Sequence, residues 1–294
     1  MARDPTLPPM RTLTGHDGLP LHWREWGADP AQRPQGTLLI VHGLGEHIGR
    51  YTHVARRLNA WGWHVVGYDQ RGHGASAGPR GDIPESDSLQ RDLSCAIDAV
   101  RSDARMNQGP LVLLGHSMGG AVAASFVAGA LVPTEWSRLV DGLVLSSPAL
   151  DVGMSLVQRG LLATTLPLMP HVAVGNGLNP AWLSRDPEVV ADYKEDPLVH
   201  NRITPMLAKM LADTGPAVMT HAARWPVPTL LMWAGADRCV APAGSANFAA
   251  AARKSGDGSG VEAELFEPLF HEIFNEPEQD QVFARLKSWL AARF

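Results

Sequence analysis

The sequence predicts an α/β protein, a doubly wound and largely parallel sheet with helices on both faces. Three observations carry this. The short apolar runs Thr37–Val41, Leu111–Leu114, Gly142–Ser146 and Thr229–Trp233 have the continuous hydrophobicity of strands buried on both faces. Helical stretches alternate with these runs at least three times. The residues able to do chemistry gather just past the runs, where a doubly wound sheet brings its loops together. At 294 residues the chain is near the upper limit of a single hydrophobic core, so one domain, or one domain with an insertion, is expected.

Taken in order, residues 1–9 read as a disordered lead. Met10–Thr14 and Leu21–Trp26 alternate in polarity across Gly15–Pro20 and predict an antiparallel hairpin. Pro30–Gly36 is a loop before the strand Thr37–Val41. A helix is expected over Tyr51–Trp61, a strand over Trp63–Tyr68, and a glycine-rich loop over Asp69–Ser76. The amphipathic stretch Asp87–Asp103 predicts a long helix before the strand at Leu111. From about Leu150 to Trp225 the alternation stops, and prolines 167, 170, 180, 187, 197 and 205 divide the segment into short helices. Within it Met154–Val174 is apolar, but Gln158, Arg159 and two prolines argue against a membrane span. A helical cap over the strand ends is the simplest reading, with most of its apolar side chains expected to pack on the sheet. The alternation then resumes with the strand Thr229–Trp233, a helix Pro242–Lys254 carrying proline in its first turn, a loop Ser255–Gly260, the strand Val261–Phe266 and an amphipathic helix Gln279–Arg293. The core is thus read as 1–149 with 226–294, and the cap as 150–225.

The stretch Leu114-Gly-His-Ser-Met-Gly-Gly120 organises the chain. It runs from a strand through Gly115-x-Ser117-x-Gly119 into the small-residue helix beginning at Ala121, the form of a nucleophile elbow. A serine at such a turn takes a strained backbone that lifts its hydroxyl clear of the strand ends. Glycines two residues to either side keep Cβ atoms out of the crossing. The following helix aims its positive end at the place where an anionic intermediate would form.

A serine hydroxyl needs a base within reach, and the base needs an acid. Behind a nucleophile elbow these follow in the order Ser, Asp or Glu, His. Of the histidines after Ser117, His171, His200 and His221 fall in the cap, while His271 follows the late strand Val261–Phe266. Asp237 lies directly after the strand Thr229–Trp233, with an N-cap or an Arg238 pairing as its plainer roles. The oxyanion hole needs two backbone N–H groups, for which Met118 and Leu44 of the loop His42-Gly-Leu-Gly45 are the candidates. Candidate substrate contacts are His42, Gly43, Glu46 and His116, with Leu161, Leu162, Leu166 and Met169 in the cap. His116 also reads as structural, and Arg71 and His73 as residues that hold loops together.

Composition limits the partners. The apolar content of 45% and charged content of 19% are ordinary for a soluble globular chain. A net charge of −5 gives no basic footprint for nucleic acid and no polybasic membrane anchor. The polar, proline-rich start lacks the apolar core of a secretory signal. Two distant cysteines, Cys95 and Cys239, point to a reducing compartment, so a cytoplasmic location is expected. No cluster of cysteine and histidine has metal-ligand spacing.

Six motifs in order, HGLGEHIGRY from His42, YDQRGHGAS from Tyr68, GHSMGG from Gly115, DPLVH from Asp196, GADR from Gly235 and HEIFNEPE from His271, make the chain resemble the monoacylglycerol lipase and lysophospholipase branch of the α/β-hydrolases. The resemblance spans about Val41 to Phe294. It implies a mainly parallel eight-stranded sheet with a helical cap inserted after the sixth strand. It also implies a Ser117–Asp237–His271 triad, oxyanion donors at Leu44 and Met118, a lipid-like ester substrate, no cofactor and no metal, and a cap rim that rests on lipid surfaces. Some members carry cysteines near the substrate channel and residues 150–225 hold none, so thiol-based regulation is not carried over. Other expectations stay open on the same triad: a general carboxylesterase, a serine aminopeptidase, or a non-catalytic ligand-binding relic.

Overall fold

A computed structural model describes residues 11–27, 33–252 and 260–294. The expected lead over 1–9, the strand start at Met10, the helix end at Lys254 and most of the loop 255–260 lie outside the described residues. Strands β1 (Arg11–Thr14) and β2 (Pro20–Trp26) form the antiparallel hairpin. The repeating part follows as β3 (Thr37–Val41), α1 (Thr52–Ala60), β4 (His64–Tyr68), α2 (Ser88–Ser102), β5 (Leu111–His116), α3 (Met118–Gly129) and β6 (Gly142–Ser146). After the excursion come β9 (Thr229–Ala234), α7 (Pro242–Ala252), β10 (Val261–Phe266) and α8 (Gln279–Arg293).

Among the described residues eight strands form one sheet in the order β1-β2-β4-β3-β5-β6-β9-β10. β1 with β2 and β2 with β4 pair antiparallel, and every other pair is parallel. The two-residue period of a strand sorts its side chains between two cores. Leu38 and Ile40 of β3 join Val112, Leu114, Val144, Leu230 and Met232 beneath α1 and α8. Leu39 and Val41 join Leu113, Leu145 and Leu231 beneath α2, α3 and α7. Both faces of the sheet are covered, which is why the strands read as unbroken apolar runs.

The excursion between β6 and β9 holds α4 (Leu156–Thr165), β7 (Val174–Gly175), α5 (Pro187–Glu195), β8 (Arg202–Ile203) and α6 (Pro205–His221), with β7 and β8 forming a small antiparallel pair. α4 opens on a reciprocal capping box between Ser155 and Gln158. α6 packs on α3 and supplies Leu207, Met210, Leu211 and Val218 to the core. The expectation that most apolar side chains of the cap pack on the sheet is met by α6, whose apolar residues join the core, and is corrected for Met154–Val174. α4 has no buried residue, and Leu156, Val157 and Leu168 are 87%, 81% and 78% exposed. α6 already fills the space above α3, so α4 is held outside it. No described helix is long and apolar enough to cross a membrane.

The elbow depends on small residues. A Cβ on Gly119 would lie 2.0 Å from the Val41 carbonyl oxygen, and one on Gly115 2.6 Å from the Gly119 carbonyl oxygen. Both neighbours are backbone and cannot swing away. Gly119→Ala is therefore expected to destabilise the fold by about 3 kcal/mol or more, lowering the melting temperature by about 10 °C in a thermal melt.

Candidate active site

Ser117 sits between the end of β5 and the start of α3 with φ 51° and ψ −118°, a left-handed backbone rare outside glycine. Strain of this kind costs about 1–3 kcal/mol and persists only where surrounding contacts hold it. Here the Ser117 N–H donates to the Ser146 carbonyl at 3.0 Å, and the Ser117 carbonyl accepts from Ala121 N at 3.0 Å and Ala149 N at 2.9 Å. Ser117 opens onto a cavity of about 300 Å³. Its walls are mostly apolar: Leu44 and Met118 beside the serine, Val152, Leu161, Leu162, Ile203 and Leu211 further out.

His271 and Asp237 arrive from two other strand ends. His271 Nδ1 lies 2.7 Å from Asp237 Oδ2, and both side chains are almost wholly buried. The other carboxylate oxygen, Oδ1, accepts from Cys239 N at 2.8 Å and Val240 N at 3.1 Å, which fixes the acid by its own loop. The ionised carboxylate can only accept, so Nδ1 carries the proton and Nε2 is left as the basic nitrogen. Burial alone would lower the His271 pKa. Asp237, with Glu272 and Glu46 behind it, outweighs that and raises it above 6.5. The neighbouring His116, its ring centroid 4.8 Å from that of His271, is pushed down to about 4 by burial and by His271. At neutral pH His116 is thus uncharged and leaves His271 as the titrating ring.

Leu44 and Met118 flank the serine in the cavity wall. As the first residue of α3, Met118 has an N–H with no intrahelical acceptor. The Leu44 loop is pressed from above by the cap linker. Gly45 has φ 78°, and its carbonyl accepts from His200 N at 2.8 Å.

Leu161 and Leu162 line the cavity as expected from the sequence, whereas Leu166 and Met169 do not. Both follow the end of α4, where the chain turns out toward solvent. His42, Gly43, Glu46 and His116 also stay out of the cavity wall. His42 is bonded to Gln70 N at 2.9 Å and to the Gly43 carbonyl at 2.8 Å. His116 contacts Ser146 Oγ at 3.1 Å. Glu46 accepts from Gly43 N at 2.6 Å and from the Tyr51 hydroxyl at 2.7 Å. These polar groups hold loops rather than face a ligand. Arg71 does the same, reaching Asp92 at 2.6 Å and Asp17 at 3.0 Å.

Sequence reasoning missed Val152, Ile203 and Leu211 in the cavity wall and four residues nearer the triad. Cys239 and Val240 line the cavity beside Asp237, and burial pushes the Cys239 thiol pKa up. Arg50 and Glu272 form a buried ion pair under the site. The adjacency of Glu272 to His271 was the available signal for the last of these. Two clusters have metal-ligand chemistry among the described residues: Asp237, Cys239 and His271, and His16, Asp17 and Asp92. In the first, the histidine and the aspartate are bonded to each other. In the second, the Arg71 guanidinium already supplies the cation.

The sequence matches the family described as serine aminopeptidase, S33, over residues 32–278. It is 34% identical over 284 residues to a monoacylglycerol lipase of Mycolicibacterium smegmatis, covering 96% of each chain. It is 31% identical over 278 residues to phospholipase YtpA of Bacillus subtilis, covering 90% of this chain and 97% of that one. Among solved structures, a monoacylglycerol lipase of Paleococcus ferrophilus matches with TM-score 0.80 and 30% identity, over 93% of this chain and 99% of that chain. With the elbow, the buried His–Asp pair and the capped sheet, these likenesses make the molecule an ester-hydrolysing serine hydrolase. The chain belongs to the serine aminopeptidase S33 family, in the monoacylglycerol lipase branch of the α/β-hydrolases.

Proposed function

We propose that the chain hydrolyses single-chain fatty acyl esters, monoacylglycerols and lysophospholipids, with Ser117 as nucleophile, His271 as base and Asp237 as its acid. The observation that carries this is the mainly apolar cavity of about 300 Å³ that opens on Ser117 and is roofed by the cap. Such a cavity removes an acyl chain from water at about 0.8 kcal/mol per methylene. A peptide would leave its amides unpaired against the same walls.

In this mechanism His271 Nε2 takes the Ser117 proton as Oγ attacks the ester carbonyl. The oxyanion accepts from the N–H groups of Leu44 and Met118, each worth about 3 kcal/mol in the transition state. The intermediate collapses with loss of the alcohol, whose oxygen takes the proton from His271. Water then gives a proton to His271 and attacks the acyl-enzyme. A second oxyanion collapses to release the fatty acid, and Ser117 regains its proton. Asp237 stays ionised throughout, orienting the ring and stabilising the imidazolium.

The base works only when neutral, and its pKa is raised above 6.5. At acid pH kcat/KM for an uncharged ester is therefore expected to fall about tenfold per pH unit below a midpoint above neutral histidine's. Rates across pH 5–9 check this. The substrate is tested with a panel of 1-monoacylglycerols, lysophospholipids, short nitrophenyl esters and amino-acid anilides. Preference for long-chain glycerol or glycerophospho esters supports the reading. Preference for anilides would replace it with the aminopeptidase alternative, and preference for the short esters with a general carboxylesterase.

The cap also supports a peripheral contact with lipid surfaces. Leu156, Val157, Leu161, Leu168 and Met169 are exposed on and just after α4, and Leu161 also lines the cavity, so this apolar edge would otherwise face water. Flotation with liposomes, compared with a Leu156→Ser/Leu168→Ser variant, tests it; equal binding would reject this contact.

A further inference from the structure

We propose that Arg50 is a positioning residue, a buried clasp that ties the loop carrying His271 to the loop carrying Leu44, so that one cation sets both the base and an oxyanion donor. This rests on the hydrolase reading of Ser117 and His271. Arg50 Nη1 and Nη2 reach Glu272 Oε1 and Oε2 at 2.6 and 2.8 Å, a bidentate pair with the residue that follows His271. Nη1 also reaches Glu46 Oε2 at 2.7 Å. The other oxygen of Glu46 accepts from Gly43 N at 2.6 Å, one residue before Leu44. A Cβ on Gly43 would meet Glu46 Oε1 at 2.8 Å and Ser117 Cβ at 3.3 Å, so the carboxylate and the nucleophile bear on the same glycine.

The clasp also touches the cap. The Arg50 guanidinium lies 4.8 Å from the Tyr193 ring of α5, and Glu272 N donates to the Leu183 carbonyl at 2.8 Å. Tyr51 and Asn275 supply the remaining donors, to Glu46 and Glu272 respectively. Every carboxylate oxygen of the cluster is therefore bonded. Glu46 and Glu272 are 3% and 5% exposed, so the cluster is desolvated as well as fully paired. Buried ion clusters contribute little net stability compared with apolar packing of the same volume. What this one supplies is geometry. The fork of a guanidinium fixes two carboxylates at set distances, which a lysine ammonium cannot do. Reacting groups held by such a frame lose rate steeply when displaced.

The cluster also shapes the charge around His271. Two carboxylates and one guanidinium leave one net negative charge beside the ring. The groups facing His271 are Asp237 and Cys239 from the loop after β9, His116 from the end of β5, Glu46 from the loop after β3, and its own neighbour Glu272. Neutralising Glu272 therefore removes part of what favours the imidazolium, and the acid limb of the pH profile moves to lower pH.

The test uses Glu272→Gln, Glu46→Gln and Arg50→Lys in the full chain, with wild type and Ser117→Ala alongside on a nitrophenyl ester. For Glu272→Gln, kcat is expected to fall about 10- to 100-fold with KM little changed. Its acid limb should shift to lower pH. Glu46→Gln should lower kcat and slow fluorophosphonate labelling of Ser117. Arg50→Lys, which keeps the charge but not the fork, should lower kcat as the glutamine variants do. The glutamine variants keep side-chain shape, so they report even if Arg50→Lys melts early. A Glu272→Gln enzyme with wild-type kcat and an unmoved acid limb overturns the clasp. Turnover that survives Ser117→Ala overturns instead the hydrolase reading beneath it.

Discussion

Ser117→Ala is expected to lose about six orders of magnitude in turnover, as removal of the nucleophile from a serine triad does. The fold should be untouched, because the Ser117 contacts that hold the elbow are backbone ones: its N–H to Ser146 and its carbonyl to Ala121 and Ala149. Alanine also dispenses with no Cβ, so the strained φ of 51° is kept rather than relieved. The melting temperature should therefore stay near that of the wild type while ester hydrolysis and labelling by a fluorophosphonate both vanish. Steady-state assays and an intact-mass measurement check the two halves together.

Asp237→Asn should cost about four orders of magnitude in kcat. The carboxylate accepts from His271 Nδ1 through one oxygen and from Cys239 N and Val240 N through the other. An asparagine retains one acceptor. If the two backbone donors hold it, the amide NH₂ faces Nδ1, and the ring responds by placing its proton on Nε2. The base is then in the wrong tautomer for Ser117. The charge that raises the His271 pKa is lost as well, so the residual activity should show an acid limb moved to lower pH. Burst kinetics with a nitrophenyl ester and a pH series measure both effects.

Much of the frame could be read in the residues. The runs at Thr37, Leu111, Gly142 and Thr229 are continuous because both faces of their strands are covered, and the structure has a core on each side. Ser117, Asp237 and His271 stand just past strand ends, in an order the fold imposes, so position selected them. The cap was less legible. Its helices are short, and apolar side chains there can face the core, the cavity or solvent with the same local pattern. Leu162 and Leu166 lie one turn apart on or beside α4, yet the first lines the cavity and the second does not. Glu46 was legible as a charged residue near the site but not as half of a clasp, because its neighbour Arg50 also holds Glu272, 222 residues away in sequence. Pairings over such separations leave no periodicity to read.

The central claim is that a lipid acyl group passes through a covalent bond to Ser117. It is tested most directly by mixing the wild-type enzyme rapidly with a long-chain 1-monoacylglycerol, quenching in acid within the first turnover and mapping the adduct by peptide mass spectrometry. The account predicts a single acyl addition on the peptide bearing Ser117, with glycerol released in equal amount. An adduct on another residue, or glycerol release by a chain that never carries acyl on Ser117, would contradict it.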